Sequence, residues 1–160
     1  FDQVTARLGA GQALKSGEYA QLLAAVRNYY GHGSRGIFNR MGITAWERLT
    51  STAGVGIKTK GLLGRALLRK RVTYQALQLL AEQLSAGSDQ VTVHLLDTEF
   101  YLVDRISDAT CDQTAEAPIC AVTVGLIQGA LTWGTGEHFD VEEKFCMASG
   151  AESCQFHIRS

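Results

Sequence analysis

The chain has 160 residues, 46% of them hydrophobic, with a formal charge of -1, a composition that suits one domain with a single sizeable core. Near-neutral charge argues against nucleic acid as the main partner, because neutralising phosphates needs a basic surface. No run approaches the roughly 18 apolar residues of a membrane span, the first segment lacks the basic start and apolar centre of a signal peptide, and four unevenly spaced cysteines are too few for a disulfide-stapled secreted scaffold. A cytoplasmic location is expected. Phe1 is not an initiator Met, so a natural segment ahead of it is left open.

Ser16 is placed to cap a first helix whose Tyr19, Leu22, Leu23, Val26 and Tyr30 form one apolar stripe until Gly31 stops it. A second helix is expected from near Ser34 past Trp46 to about Thr50, burying Ile37, Phe38, Met41, Ala45 and Leu49. The stretch AGVGIKTKG loosens the chain before one or two further helices that end at Gly87. The period then changes to two. QVTVHLLD and EFYLVDRI, joined near Asp97 and Thr98, read as an antiparallel hairpin. After a polar loop from Ser107 to Pro118, CAVTVGLIQGALTW has the length of a buried helix, and HFDVEEKFC and CQFHIRS form a second hairpin. The order helices, hairpin, helix, hairpin gives an α+β fold, with helices on one face of an antiparallel sheet of about four strands. The whole chain is one domain, helical over about 1–87 and mixed over about 88–160.

Several chemical motifs fail on context. GHGSRG, Gly31 to Gly36, fits GxGxxG literally, but a helix precedes it where a dinucleotide site needs a strand. GIKTKGLL lacks the Lys and Ser/Thr of a phosphate loop. No GxSxG, HExxH or zinc-deaminase HxE motif is present. The basic run Lys58, Lys60, Arg65, Arg69, Lys70 and Arg71 reads first as a solvated helix face. An anionic partner or membrane surface is its alternative. His32, His94, His138 and His157 show no i,i+4 ligand pairing.

The cysteines are the informative residues. Cys120 opens a predicted helix, while Cys146 and Cys154 flank the turn of the last hairpin, so three thiols can converge as soft ligands for zinc, with a carboxylate as fourth. Buried structural thiols, or a Cys146–Cys154 disulfide, fit the same spacing.

These residues carry a resemblance. PICAVTVGLIQGALTW followed by EEKFCMASGAESCQF, together with YYGHGSRGIFNRMG in the first half, resembles the V4R (4-vinyl reductase) domain family in its stand-alone, hydrocarbon-binding form. That family is similar in fold to ligand-binding domains of nitric-oxide signalling and Golgi-transport proteins, and includes sensor domains of phenol- and xylene-responsive activators. The resemblance implies a buried pocket for a small hydrophobic or aromatic molecule, a structural zinc and a homodimer. It picks Cys120, Glu143, Cys146 and Cys154 as the zinc ligands. Strand alternation objects, since in a regular strand Glu142 rather than Glu143 shares a face with Cys146, and a bulge is needed to reverse this. Glu142 is therefore the second choice, and Cys111 could replace the glutamate in an all-thiolate site.

The expected function is non-enzymatic binding or sensing, with Tyr29, Tyr30, Phe38, Trp46, Tyr74, Phe100 and Trp133 as pocket-wall candidates. One alternative is a reductase of a vinyl-bearing tetrapyrrole in (bacterio)chlorophyll synthesis, though the chain shows no nucleotide or flavin fingerprint to supply electrons. Another is a scaffolding dimer of the trafficking-complex type.

Overall fold

The computed structural model describes residues 13–53 and 65–159. The loosened stretch AGVGIKTKG beyond Ala53, with the basic residues Lys58 and Lys60, lies outside them. Helix α1, Ser16–Tyr30, is followed by a 3-10 turn at Gly31–Gly33 and by α2, Ser34–Ala53; α3 spans Arg65–Ser85. Lys15 rather than Ser16 caps α1, and its backbone N–H donates to the Glu18 carboxylate at 2.9 Å. An acid in the first turn satisfies an amide that the helix itself leaves unpaired. Gly31 ends α1 at a φ of 54°.

Strands β1, Val91–Leu96, and β2, Glu99–Asp104, form the first hairpin, with Asp97 at a φ of 55° in its turn. Helix α4, Ala121–Thr135, leads to β3, Asp140–Phe145, and β4, Cys154–Arg159. The open sheet has the order β1-β2-β4-β3 and is antiparallel throughout. Its buried face carries Phe100 and Leu102 of β2, Phe156 and Ile158 of β4 and Val141 of β3, the alternation that a half-covered sheet requires. Helix α3 lies against β1 and β2, and α4 against β3. The α+β organisation read from the sequence is present. Arg69, Lys70 and Arg71 are exposed, and Arg69 pairs with Glu137 and sits 5.9 Å over the Phe139 ring.

Helix α2 corrects one expectation. Its inward side is Ser34, Phe38, Gly42 and Trp46, whereas Ile37, Met41 and Leu49 point to solvent at 45, 41 and 47% exposure. The cause is the approach of α4. A Cβ on Gly42 would overlap the Val122 carbonyl, and one on Gly125 would overlap the Asn39 carbonyl, so the two backbones touch where no side chain fits. Gly129 continues the seam, with Trp46 Cβ 3.1 Å from where its own Cβ would lie, and Asn39 Nδ2 donates to Gln128 Oε1 at 2.8 Å beside it. On the far side of α4, a Cβ on Gly134 would sit 2.8 Å from Ala76 of α3. Small residues thus let α4 pack between two helices at the distance of backbone contact.

Gly125→Ala should therefore lower unfolding free energy by at least about 1–3 kcal/mol, the range for overpacking. Gly17→Ala, on an open face of α1, should raise it by roughly 0.5–1 kcal/mol. Denaturant titration of the two variants checks the pair, and an unchanged midpoint for Gly125→Ala would contradict the close crossing.

Candidate functional site

Cys120 is the residue before the first turn of α4, and its backbone N–H donates to Glu143 Oε2 at 2.8 Å. Glu143 reaches it because β3 is irregular. Glu143 pairs with Phe156, but the next pair is Phe145 with Gln155, so Lys144 is an extra residue in β3. This one-residue bulge reverses the alternation. Glu143 and Cys146 come to the same buried face, and Phe145 turns out to solvent. Glu142 takes the opposite face, where it pairs with Lys144 at 2.6 Å and Arg159 at 3.4 Å.

Past Cys146 the chain makes a 3-10 turn over Met147–Ser149 and reverses at Gly150, φ 90°. The carbonyl of Cys146 accepts the N–H groups of Ser149 at 3.0 Å and Ala151 at 3.2 Å, and the Met147 N–H points at Cys154 Sγ from 3.4 Å. Cys120 Sγ lies 3.9 Å from Cys146 Sγ and 3.6 Å from Cys154 Sγ. One ligand atom from each of Cys120, Glu143, Cys146 and Cys154 falls within 4.8 Å of the others, all four residues are buried, and the group could hold a metal ion. The three thiols are free, with no disulfide between Cys146 and Cys154. Cys111 stands apart, its thiol 3.8 Å from Asp112 Oδ2.

The electrostatics of the cluster follow from burial. Removal from water, and then the charge of Cys146, push the Glu143 carboxyl up to about 8. Hydrogen bonds from Cys120 and Cys154 favour the thiolate at Cys146 and draw its thiol down, while the same contacts and burial push Cys120 up. Among the described residues, Glu143 Oε1 is buried without a hydrogen-bond partner.

Next to the cluster is a cavity of about 400 Å³, partly open to solvent, between the start of α1, the end of β2 and the first turns of α4. Ser16, Tyr19, Asp104, Ser107, Asp108 and Thr123 supply its polar lining. The two features share a wall: Asp104 pairs with Cys154 across β2 and β4, and Ser107 Oγ is 3.6 Å from Cys120 Sγ.

None of the seven aromatic wall candidates lines this cavity. Trp46 meets Trp133 edge to face at 5.9 Å, and Tyr74 stacks near Phe100 at 6.5 Å. Phe38 is buried in the core, while Tyr29 and Tyr30 are 82 and 55% exposed. The cavity residues escaped the sequence reading. Asp104 had left a trace, as an acid at the inward parity of EFYLVD after Phe100 and Leu102.

Residues 105–160 match the V4R domain. No curated protein matches the chain. Among solved structures, the phenol-responsive sensory domain of the transcription activator PoxR with phenol is similar at a TM-score of 0.60 and 18% identity, over 91% of this chain and 74% of that one. A trafficking protein particle complex subunit 3 from Naegleria fowleri, covalently bound to palmitic acid, gives 0.61 and 15% over 90 and 91%. An H-NOX protein from S. oneidensis in the Fe(II)NO state gives 0.57 and 14% over 92 and 77%. At these identities the likeness is one of fold. The matched segment contains Cys120, Glu143, Cys146 and Cys154, and over these residues the chain is similar to the V4R domain, in a fold that it shares with the three structures.

Proposed function

We propose that this chain binds and senses a small hydrophobic molecule without catalysing a reaction, and that a structural zinc on Cys120, Glu143, Cys146 and Cys154 holds the wall of the binding cavity. The observation that carries the reading is the wall shared by cluster and cavity at Asp104–Cys154 and Ser107–Cys120. A ligand there presses on residues that the metal fixes. The solved PoxR domain of similar fold contains phenol, which supports the same use of this architecture.

Zinc fits the donors. Tetrahedral coordination with Zn–S bonds of about 2.3 Å separates two sulfurs by about 3.8 Å, and the separations from Cys120 are 3.6 and 3.9 Å. The unpartnered Glu143 Oε1 offers the remaining lone pair, in a place where a buried carboxylate oxygen otherwise goes unsatisfied. Four protein ligands close the shell, as in sites that stabilise rather than react. The ion would cross-link the start of α4 to both strands of the second hairpin.

Native mass spectrometry of the purified protein should show one zinc per chain and a copurifying small molecule. Chelation, or Cys154→Ala, should lower the melting temperature by ten degrees or more, since metal binding of this kind is coupled to folding. Full stability in protein free of metal would contradict the structural role.

We further propose a homodimer through the outer side of α2. Ile37, Met41, Ala45 and Leu49 recur every four residues there, and the first, second and fourth are exposed, a continuous apolar stripe of the sort that marks an interaction surface. Sedimentation should give twice the chain mass, and Met41→Lys should shift it to the monomer. A wild-type monomer at all concentrations would rule the dimer out.

A further inference from the structure

The lining of the cavity is specific enough to assign a class of ligand. Asp104 is 4% exposed. Its Oδ1 accepts the Ile106 N–H at 2.9 Å, and the Ser107 side chain also hydrogen-bonds to it, but among the described residues no Lys, Arg or His lines the cavity to balance its charge. Asp108 also lines the cavity, so two acids face it with no counter-charge among the described residues. A buried carboxylate is costly unless it is paired.

A second observation is independent of the acids. Thr123, in the first turn of α4, is 7% exposed and lines the cavity, yet its hydroxyl makes no hydrogen bond among the described residues. With no partner among them, the hydroxyl is left for solvent or a molecule in the cavity to satisfy. The side chains of Leu84, Ile106, Val122 and Leu126 also line it, so the cavity offers apolar surface beside these polar groups, at a volume within the roughly 300–1,000 Å³ usual for small-molecule sites.

We propose that the cavity takes a small organic ammonium ion: a primary or secondary amine whose charged nitrogen sits on the Asp104 carboxylate and donates to the Thr123 hydroxyl, with an apolar body against Leu84, Ile106, Val122 and Leu126. This rests on the small-molecule reading above and narrows it. An amine supplies both the counter-charge and the several donors that Asp104 and Thr123 lack, whereas a carboxylic acid would add a third negative charge beside Asp104 and Asp108.

The test uses three isosteric probes, 2-phenylethylamine, 2-phenylethanol and phenylacetate, titrated calorimetrically into the metal-loaded full chain. The amine should bind at least tenfold tighter than the alcohol, and phenylacetate should not bind. Asp104→Asn should bring the amine down to the affinity of the alcohol and leave the alcohol unchanged. Thr123→Val, nearly equal in volume, should weaken the amine several-fold and serves if Asp104→Asn fails to fold. Equal affinity for amine and alcohol, or amine binding untouched by either variant, would overturn the ammonium assignment and leave the small-molecule reading standing. Binding of none of the three, with the melting temperature unmoved by each, would overturn the assignment and count against the cavity as the ligand site.

Discussion

The backbone contact between α2 and α4 sets the position of everything else. At Gly42 and Gly125 neither helix has room for one more carbon, so the crossing has one register, and α4 is fixed along its axis as well as against its neighbours. Its N-terminal end then lies where Cys120 can meet the second hairpin, and its first turns put Val122, Thr123 and Leu126 on the cavity. Close-packed interiors transmit such constraints because they have no slack to absorb them.

The second constraint is the bulge at Lys144. A regular β3 would put Cys146 on one face and Glu143 on the other, and the four donors could not share one point. One extra residue brings Glu143 and Cys146 together, and leaves Glu142 in a surface pairing with Lys144 and Arg159. Hairpin and helix meet at this cluster of buried donors. The cavity adjoins the same junction, so a molecule bound there is in contact with the segment whose geometry the donors hold.

Much of this was legible in the sequence, and the failures have physical causes. Alternation in EFYLVD and CQFHIRS marks the strands because a half-covered sheet imposes period two. The three cysteines were readable because a helix start and a tight hairpin are local features, and local features survive in sequence. The inward side of α2 was not readable. Ser34 and Gly42 are buried without being apolar, so the hydrophobic stripe of Ile37, Met41 and Leu49 signals the wrong face. Alternation alone also favoured Glu142, because a bulge leaves no mark in composition; family spacing chose the glutamate that faces inward. The aromatic residues drew attention as pocket walls; in the fold Trp46 meets Trp133 and Tyr74 stacks near Phe100, and the cavity beside the cysteines is lined from four separate parts of the chain, around Tyr19, at Leu84, around Asp104 to Ala109 and around Thr123. Such convergence is a property of tertiary structure.

The most direct test of the central claim is X-ray absorption spectroscopy at the zinc edge of the purified protein. The expected first shell is three sulfurs at about 2.3 Å and one oxygen at about 2.0–2.2 Å, from Cys120, Cys146, Cys154 and Glu143. A shell of four sulfurs, which would bring in Cys111, or a protein carrying no zinc at all, would contradict it.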